Sequence, residues 1–266
     1  MGEIMNSSIV VQREGGNEPE NHSVTRTITL HLLPGVLGTA FFCIFAVTFH
    51  RIGLPAFLAL LLALGVIIIP FELGYLLVQG RKRNGRFSLK GVVRFLEPMP
   101  WWQYVVFGIV LFAWSGLWFG LCADKMDRYI IERFFHWLPD WFFLFGQTND
   151  VIHYLSQFSK PVLVTTTIAG IILNGIAGPV VEELYFRGYL LPRLNRFKGW
   201  APLINSLLFS LYHFFSPWEN PVRILVLVPL IYACWWKRNI FLGMLLHCAG
   251  NLMGGIGMLV FVLNTF

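Results

Sequence analysis

The chain has 266 residues, 56% of them hydrophobic and 16% aromatic but only 13% charged, and its mean hydropathy is +0.64. That composition excludes an ordinary soluble domain and points to an integral membrane protein. The net charge of +6 is no sign of nucleic acid, because the basic residues sit in short connections between apolar runs, where the Lys/Arg bias of cytoplasmic loops accounts for them.

Met1 to Arg26 is polar and mixed in charge, and lacks the basic start, apolar stretch and cleavage site of a signal peptide. It is expected to be a flexible cytoplasmic tail, 1–26, ahead of a single transmembrane domain, 27–266. Apolar runs follow at Ile28–Phe49, Ile52–Val78, Tyr104–Ala123 and Pro161–Phe186, each near or above the roughly 20 residues that cross a bilayer. Three more lie at Trp200–Phe215, Ile224–Trp236 and Ile240–Phe266. The middle one is short enough to dip back, or to rely on Lys237 and Arg238 reaching up to the interface. The fold class expected is therefore all-α, a polytopic membrane helix bundle of about seven transmembrane helices. In a prokaryote it would lie in the plasma membrane.

Arg81, Lys82, Arg83, Arg86, Lys90 and Arg94 crowd the second connection, Arg193, Arg196 and Lys198 the fourth, and Lys237 and Arg238 the sixth. These loops should face the cytoplasm, with the N-terminus inside. Asp124 to Lys160 balances its charges and is rich in Trp, Phe and Tyr, as expected of an outer connection with an amphipathic piece in the interface. Gly170, Gly175 and Gly178, and the Gly250-x-x-x-Gly254 pair, are expected to let helices approach closely. Trp101–Trp102 and Trp235–Trp236 read as interfacial belts. Cys43, Cys122, Cys234 and Cys248 stand singly in apolar segments and read as small apolar fillers. His31, His50, His136 and His153 have no matched partner and are assigned no chemistry.

The chemistry concentrates late in the chain. Val180-Val181-Glu182-Glu183-Leu184-Tyr185-Phe186-Arg187 places two carboxylates and a guanidinium at the end of an apolar run. One charge at the centre of a membrane helix costs about 2.5–3.5 kcal/mol on insertion scales. Phe209-Ser-Leu-Tyr-His213 and His247-Cys-Ala-Gly-Asn251 repeat the theme. Residues four apart share a helix face, so Glu183 can pair with Arg187, Phe209 lies beside His213 and His247 beside Asn251. The 3.6-residue period turns Glu182 about 100° from Glu183, toward the histidines if these helices pack together. A carboxylate near histidine in a partly dry chamber is a candidate base for water, and a histidine with an asparagine amide can stabilise an oxyanion. The bland readings remain beside these: a structural ion-pair knot for Glu182, Glu183 and Arg187, histidines bonded to backbone carbonyls, and Asn251 as interhelical glue.

The pattern Glu-Glu-x-x-x-Arg, Phe-x-x-x-His, His-x-x-x-Asn, in that order on successive helices, resembles the intramembrane CAAX prenyl protease and bacteriocin-processing family, also called the abortive-infection proteins. The resemblance covers about 161–254, which would be the catalytic core. It implies an endopeptidase that hydrolyses a peptide bond near the C-terminal end of a membrane-tethered protein or peptide, with or without a prenyl group. Glu182 and His213 would activate water, His247 and Asn251 would stabilise the oxyanion, Glu183 and Arg187 would orient, and Phe209 would support. The family carries a metalloprotease label, but no H-E-x-x-H occurs here. The expectation is therefore a mechanism without a cofactor, the alternative being zinc held by Glu182, His213 and His247. A competing reading from another class is a non-proteolytic transporter or bacteriocin-immunity protein using the buried Glu/His cluster for proton relay or peptide binding.

Overall fold

Each of the seven apolar runs is helical in the computed structural model, which describes residues 20–143 and 151–266. The helices are α1 (Val24–Arg51), α2 (Ala56–Asn84), α3 (Trp101–Phe135), α4 (160–190), α5 (Ala201–Tyr212), α6 (Asn220–Lys237) and α7 (Ile240–Thr265). There is no sheet among the described residues, only one isolated bridge between Leu96 and Asn239. Five runs are long and apolar enough to cross a membrane: α1, α2, α3, the continuous stretch Lys160–Tyr212 that joins α4 to α5, and α7. The Lys160–Tyr212 stretch is bent rather than straight, since Leu191–Trp200 winds as a tighter 3₁₀ segment and Lys198 takes a non-helical conformation (φ 49°, ψ −128°). The sixth helix is longer than the run Ile224–Trp236 suggested, but is not among the five.

Two boundaries differ from expectation. Of the tail 1–26, residues 1–19 lie outside the described residues, and the rest is not a loose end. Ser23 caps α1 by accepting from the Arg26 N–H, and the His22 N–H donates to the Arg193 carbonyl at 3.2 Å. The third helix does not stop at Ala123 but runs to Phe135. Nothing in Asp124–Arg128 breaks a helix, and Arg128 pairs with Asp124 one turn back at 3.1 Å. Of the connection Asp124–Lys160, residues 144–150 lie outside the described residues, and a single helical turn at Val151–Leu155 precedes α4.

Prolines determine how the bundle is tied. A proline inside a helix has no N–H for the carbonyl four residues earlier, and in an apolar medium that carbonyl must find another donor. Pro34 releases the Leu30 carbonyl, which accepts from the Tyr185 hydroxyl of α4 at 2.8 Å. Pro229 releases Leu225, which accepts from the Trp114 indole N–H of α3 at 2.8 Å. Pro192 releases Gly188, which accepts from the Arg94 N–H at 2.8 Å. At Pro179 the effect combines with a wider π turn over Leu173–Ala177, in which the Gly178 N–H bonds Leu173 rather than Asn174. The Asn174 carbonyl is thereby left open, and Asn251 Nδ2 of α7 donates to it at 2.8 Å.

Close approach follows the glycines only in part. A Cβ on Gly170 would stand 3.0 Å from the Phe57 ring, one on Gly175 3.0 Å from Leu252, and one on Gly178 3.2 Å from Leu64. Gly250 and Gly254, by contrast, face open space, so this pair joins no helices. On α7 the contacts are made instead by Gly243, against Glu183, and Gly255, against Ile171. The substituted pattern is right in kind, but which face of α7 meets α4 is a property of the packing. The connections after α2, α4 and α6 meet at one end of the bundle, where the Glu97 N–H donates to the Arg238 carbonyl, the Ile240 N–H to Phe95, the Arg94 N–H to Gly188 at the end of α4, and the Tyr232 hydroxyl of α6 to Gly199. The three basic loops thus share an end, as their common charge suggested.

Candidate active site

α4 buries three of its charged residues inside the bundle. Glu183 and Arg187 are fully buried and Glu182 is 7% exposed, flanked by buried Tyr185, Phe186 and Tyr189. From Glu183 to Leu190 the helix is wound in π turns, a geometry frequent at functional sites. Glu183 still reaches Arg187: Oε1 lies 3.3 Å from Nη1. None of the guanidinium nitrogens closes a hydrogen bond, however, so this is an ion pair by proximity rather than a forked bond. The guanidinium rests instead over the face of Phe209, 4.0 Å from the ring centroid. Phe209 also meets Phe186 at 4.7 Å and His213 at 4.9 Å between ring centroids.

α7 delivers His247 between the two glutamates. Its Nδ1 is 3.1 Å from Glu183 Oε1, a hydrogen bond, and its Nε2 is 3.8 Å from Glu182 Oε2, too long for one but well within charge contact. The carboxylate at Nδ1 fixes that nitrogen as the donor and directs Nε2 toward Glu182. Glu183 therefore orients His247 as well as pairing with Arg187. The approach needs Gly243, because a Cβ there would stand 2.3 Å from Glu183 Oε2. Asn251, one turn beyond His247, commits one amide hydrogen to the Asn174 carbonyl and retains a second. Its role as helix glue is thus realised, and its remaining N–H is not spent by that role.

α5 ends at the site. His213 Nδ1 donates to the Phe209 carbonyl at 2.9 Å, which leaves Nε2 with a lone pair in the neutral ring. No hydrogen bond joins His213 to Glu182 among the described residues. The direct link from α5 is its neighbour Tyr212, whose hydroxyl donates to Glu182 Oε1 at 3.2 Å. Behind His213, Arg223 pairs with Glu219 and donates to Ser216 Oγ at 2.7 Å and to Asn220 Oδ1 at 3.0 Å, bracing the 213–219 connection.

Two residues at the site carry no mark in the sequence reading. Tyr212 lay inside a quoted motif but between its named positions. Glu72 is fully buried on α2, which packs against α4 at the turn that carries Glu182. Its signal was available, since a lone carboxylate inside the run Ile52–Val78 is as costly as those on α4. His31, assigned no chemistry, is a satisfied core histidine: Nδ1 donates to the Thr27 carbonyl at 2.7 Å and Nε2 accepts from Asn205 Nδ2 at 3.1 Å. Among the described residues no three His, Cys, Asp or Glu side chains stand together so as to hold a metal ion, and Glu182, His213 and His247 are no exception. No step is derived through a metal.

The motifs and their geometry lie within one matched segment. Residues 164–253 match the family model described as Rce1-like, Type II CAAX prenyl endopeptidase Rce1-like. No curated protein and no solved structure matches the chain. The matched segment contains Glu182, Glu183, Arg187, Phe209, His213, His247 and Asn251, and stops short of α2 and α3. By that match this segment, in a bundle of membrane-spanning helices, is similar to the Rce1-like type II CAAX prenyl endopeptidases.

Proposed function

We propose that this protein is a membrane protease that cleaves a peptide bond near the C-terminal end of a membrane-tethered, prenylated substrate by attack of water activated at Glu182. The observation that carries the reading is the placement of His247 between Glu182 and Glu183, with Oε1 of Glu182 occupied by Tyr212 and Oε2 turned toward the histidine. One oxygen of Glu182 is thereby left to take a proton from water, and the lone pair on His213 Nε2 can hold the same water. The hydroxide formed adds to the scissile carbonyl carbon, and the carbonyl π electrons move to its oxygen. His247, as imidazolium, and the second amide hydrogen of Asn251 donate to that oxyanion. When the tetrahedral adduct collapses, Glu182 returns the proton to the leaving amine, and the C–N bond breaks. Burial of the glutamates in an apolar surround strengthens each of these interactions relative to water.

The test is cleavage of a fluorogenic CAAX peptide, prenylated and unprenylated, by purified protein in lipid. Glu182→Gln keeps the shape of the side chain and loses the base, so kcat should vanish while the protein remains inserted and folded. Activity of the variant within tenfold of the parent removes Glu182 from this role. Equal cleavage of the two peptides removes the lipid from the substrate.

A further inference from the structure

Arg223 is misplaced with respect to its own helix. It stands in the first turn of α6, where a cation meets the positive end of the helix dipole. Its side chain is only 13% exposed, and a guanidinium so buried is costly unless its donors are used. They are used mainly on the element before α6. Nη1 donates to the Ser210 carbonyl of α5 at 3.4 Å and to Asn220 Oδ1 at 3.0 Å. Nη2 donates to Ser216 Oγ at 2.7 Å and to Glu219, the ion-pair partner four residues back.

The two nitrogens hold the two sides of His213. α5 ends at Tyr212, and a helix leaves the carbonyls of its last turn in need of other donors. The Phe209 carbonyl accepts from His213 Nδ1 at 2.9 Å and the Tyr212 carbonyl from the Phe214 N–H at 3.0 Å. The Ser210 carbonyl accepts from the His213 N–H at 3.1 Å and from Arg223. The His213 carbonyl accepts in turn from the Ser216 N–H at 3.0 Å. The guanidinium thus spans the turn, with one nitrogen on residue 210 and the other on residue 216. Ser210 Oγ adds a bond to Asn220 Oδ1 at 2.9 Å, and Ser216 Oγ one to Glu219 at 3.1 Å. Beside the last carbonyls of α5 a cation has the sign that the dipole of that helix favours.

Resting on the protease reading above, we propose that Arg223 is a positioning residue for His213: its guanidinium fixes the turn at which α5 stops, and with it the direction in which the His213 ring presents Nε2 to the attacking water. His213 has left helical geometry, at φ −83° and ψ 59°, so the turn and not the helix sets the course of its side chain. Without Arg223 the Ser210 carbonyl keeps only the His213 N–H, and nothing from α6 joins the two sides of the turn through one rigid group. A lysine has a single nitrogen on a flexible stem and cannot reproduce a planar fork that serves both sides.

Nitrogen NMR on full-length, histidine-labelled protein in lipid tests the proposal without any substrate. The His213 signals, identified by their loss in His213→Gln, should be those of a neutral ring with its proton on Nδ1. Arg223→Gln should shift or split them, while the His247 signals, identified by their loss in His247→Gln, stay in place. Unchanged His213 signals overturn the proposal, and so does equal movement of both histidines, which marks a general loss of structure. Kinetics on the prenylated fluorogenic peptide give the second readout. Arg223→Gln should lower kcat about 10- to 150-fold with KM little changed, the loss expected for a hydrogen bond to a charged group. Arg223→Lys should recover part of it. Ser216→Ala, a milder change that removes one acceptor of the fork, should lower kcat about two- to tenfold and keeps the test open if Arg223→Gln does not fold. A lysine variant equal to the parent, or a rise in KM at unchanged kcat, refutes the fork. Failure of the protease reading is recognised separately, by a parent protein inert on the peptide or an active Glu182→Gln, and leaves the NMR comparison to decide whether Arg223 sets the His213 ring.

Discussion

Gly243→Ala isolates the geometry on which the active site depends. The added methyl would stand 2.3 Å from Glu183 Oε2, 3.0 Å from its Cδ and 3.2 Å from Cys234 Sγ. The carboxylate is the end of a side chain and could rotate away, but Glu183 is fully buried and its Oε1 already holds Arg187 and His247. Relief therefore comes from breaking one of those contacts or from moving α7 off α4. Overpacking of this kind costs about 1–3 kcal/mol in stability. Loss of the charge-assisted bond that orients His247 costs about 1.5–3 kcal/mol. If that bond matters only in the reacting geometry, kcat falls about 10- to 150-fold. Gly250→Ala and Gly254→Ala are the controls on the same helix. Both sites face open space, and exchange of a helical glycine for alanine there is favourable by up to about 1 kcal/mol. The assay is kcat on the fluorogenic prenylated peptide, with thermal unfolding in the same lipid to account for stability. Equal activity of Gly243→Ala and Gly250→Ala would refute the close approach of α7 to Glu183.

Removing His247 or the Asn251 amide should each lower kcat about 10²- to 10³-fold if they form the oxyanion hole; for Asn251, replacement by Ala also opens the tie to Asn174, so unfolding must be measured beside the rate. Activity should survive exhaustive treatment with a strong chelator, and restoration of a chelated, inactive protein by stoichiometric zinc would show metal activation of water instead. In a cysteine-free background, single cysteines at Lys90 and Arg196 should resist an impermeant reagent added outside intact cells while one at Phe266 reacts; the reverse labelling overturns the inside placement of the N-terminus. His22, 3% exposed, is held down to about 3 by burial and by Arg26 and Arg193. Its folded value lies below the unfolded value near 6.5, so the docking of residues 20–23 is fully present above about pH 6.5 and weakens as pH falls toward 3. Faster amide exchange at His22 with acidification checks this, and a pH-independent rate after correction for intrinsic exchange contradicts it.

The sequence by itself determined the class of fold and marked the residues of the candidate site. Long apolar runs can only be helices in a bilayer, because every backbone group must bond within its own segment. The order Glu182-Glu183-Arg187, Phe209-His213, His247-Asn251 carried the site, since residues four apart share a helix face in any packing. Loop charge foretold that the connections after α2, α4 and α6 share one end, as their backbone bonds show. Tertiary structure alone decided the rest. Spacing within one helix cannot tell which residues of another it meets, so the choice of Gly243 and Gly255 over Gly250 and Gly254 came from the packing. The π winding of Glu183–Leu190 replaced the 3.6-residue period on which the angle between Glu182 and Glu183 was reckoned. Tyr212 rather than His213 bonds Glu182, because the helix ends at His213 and its ring turns back to the Phe209 carbonyl. Glu72 and Glu182 are 110 positions apart in the numbering, and only the packing of α2 on α4 buries both in one interior; no local period can encode a contact between segments so distant in the chain.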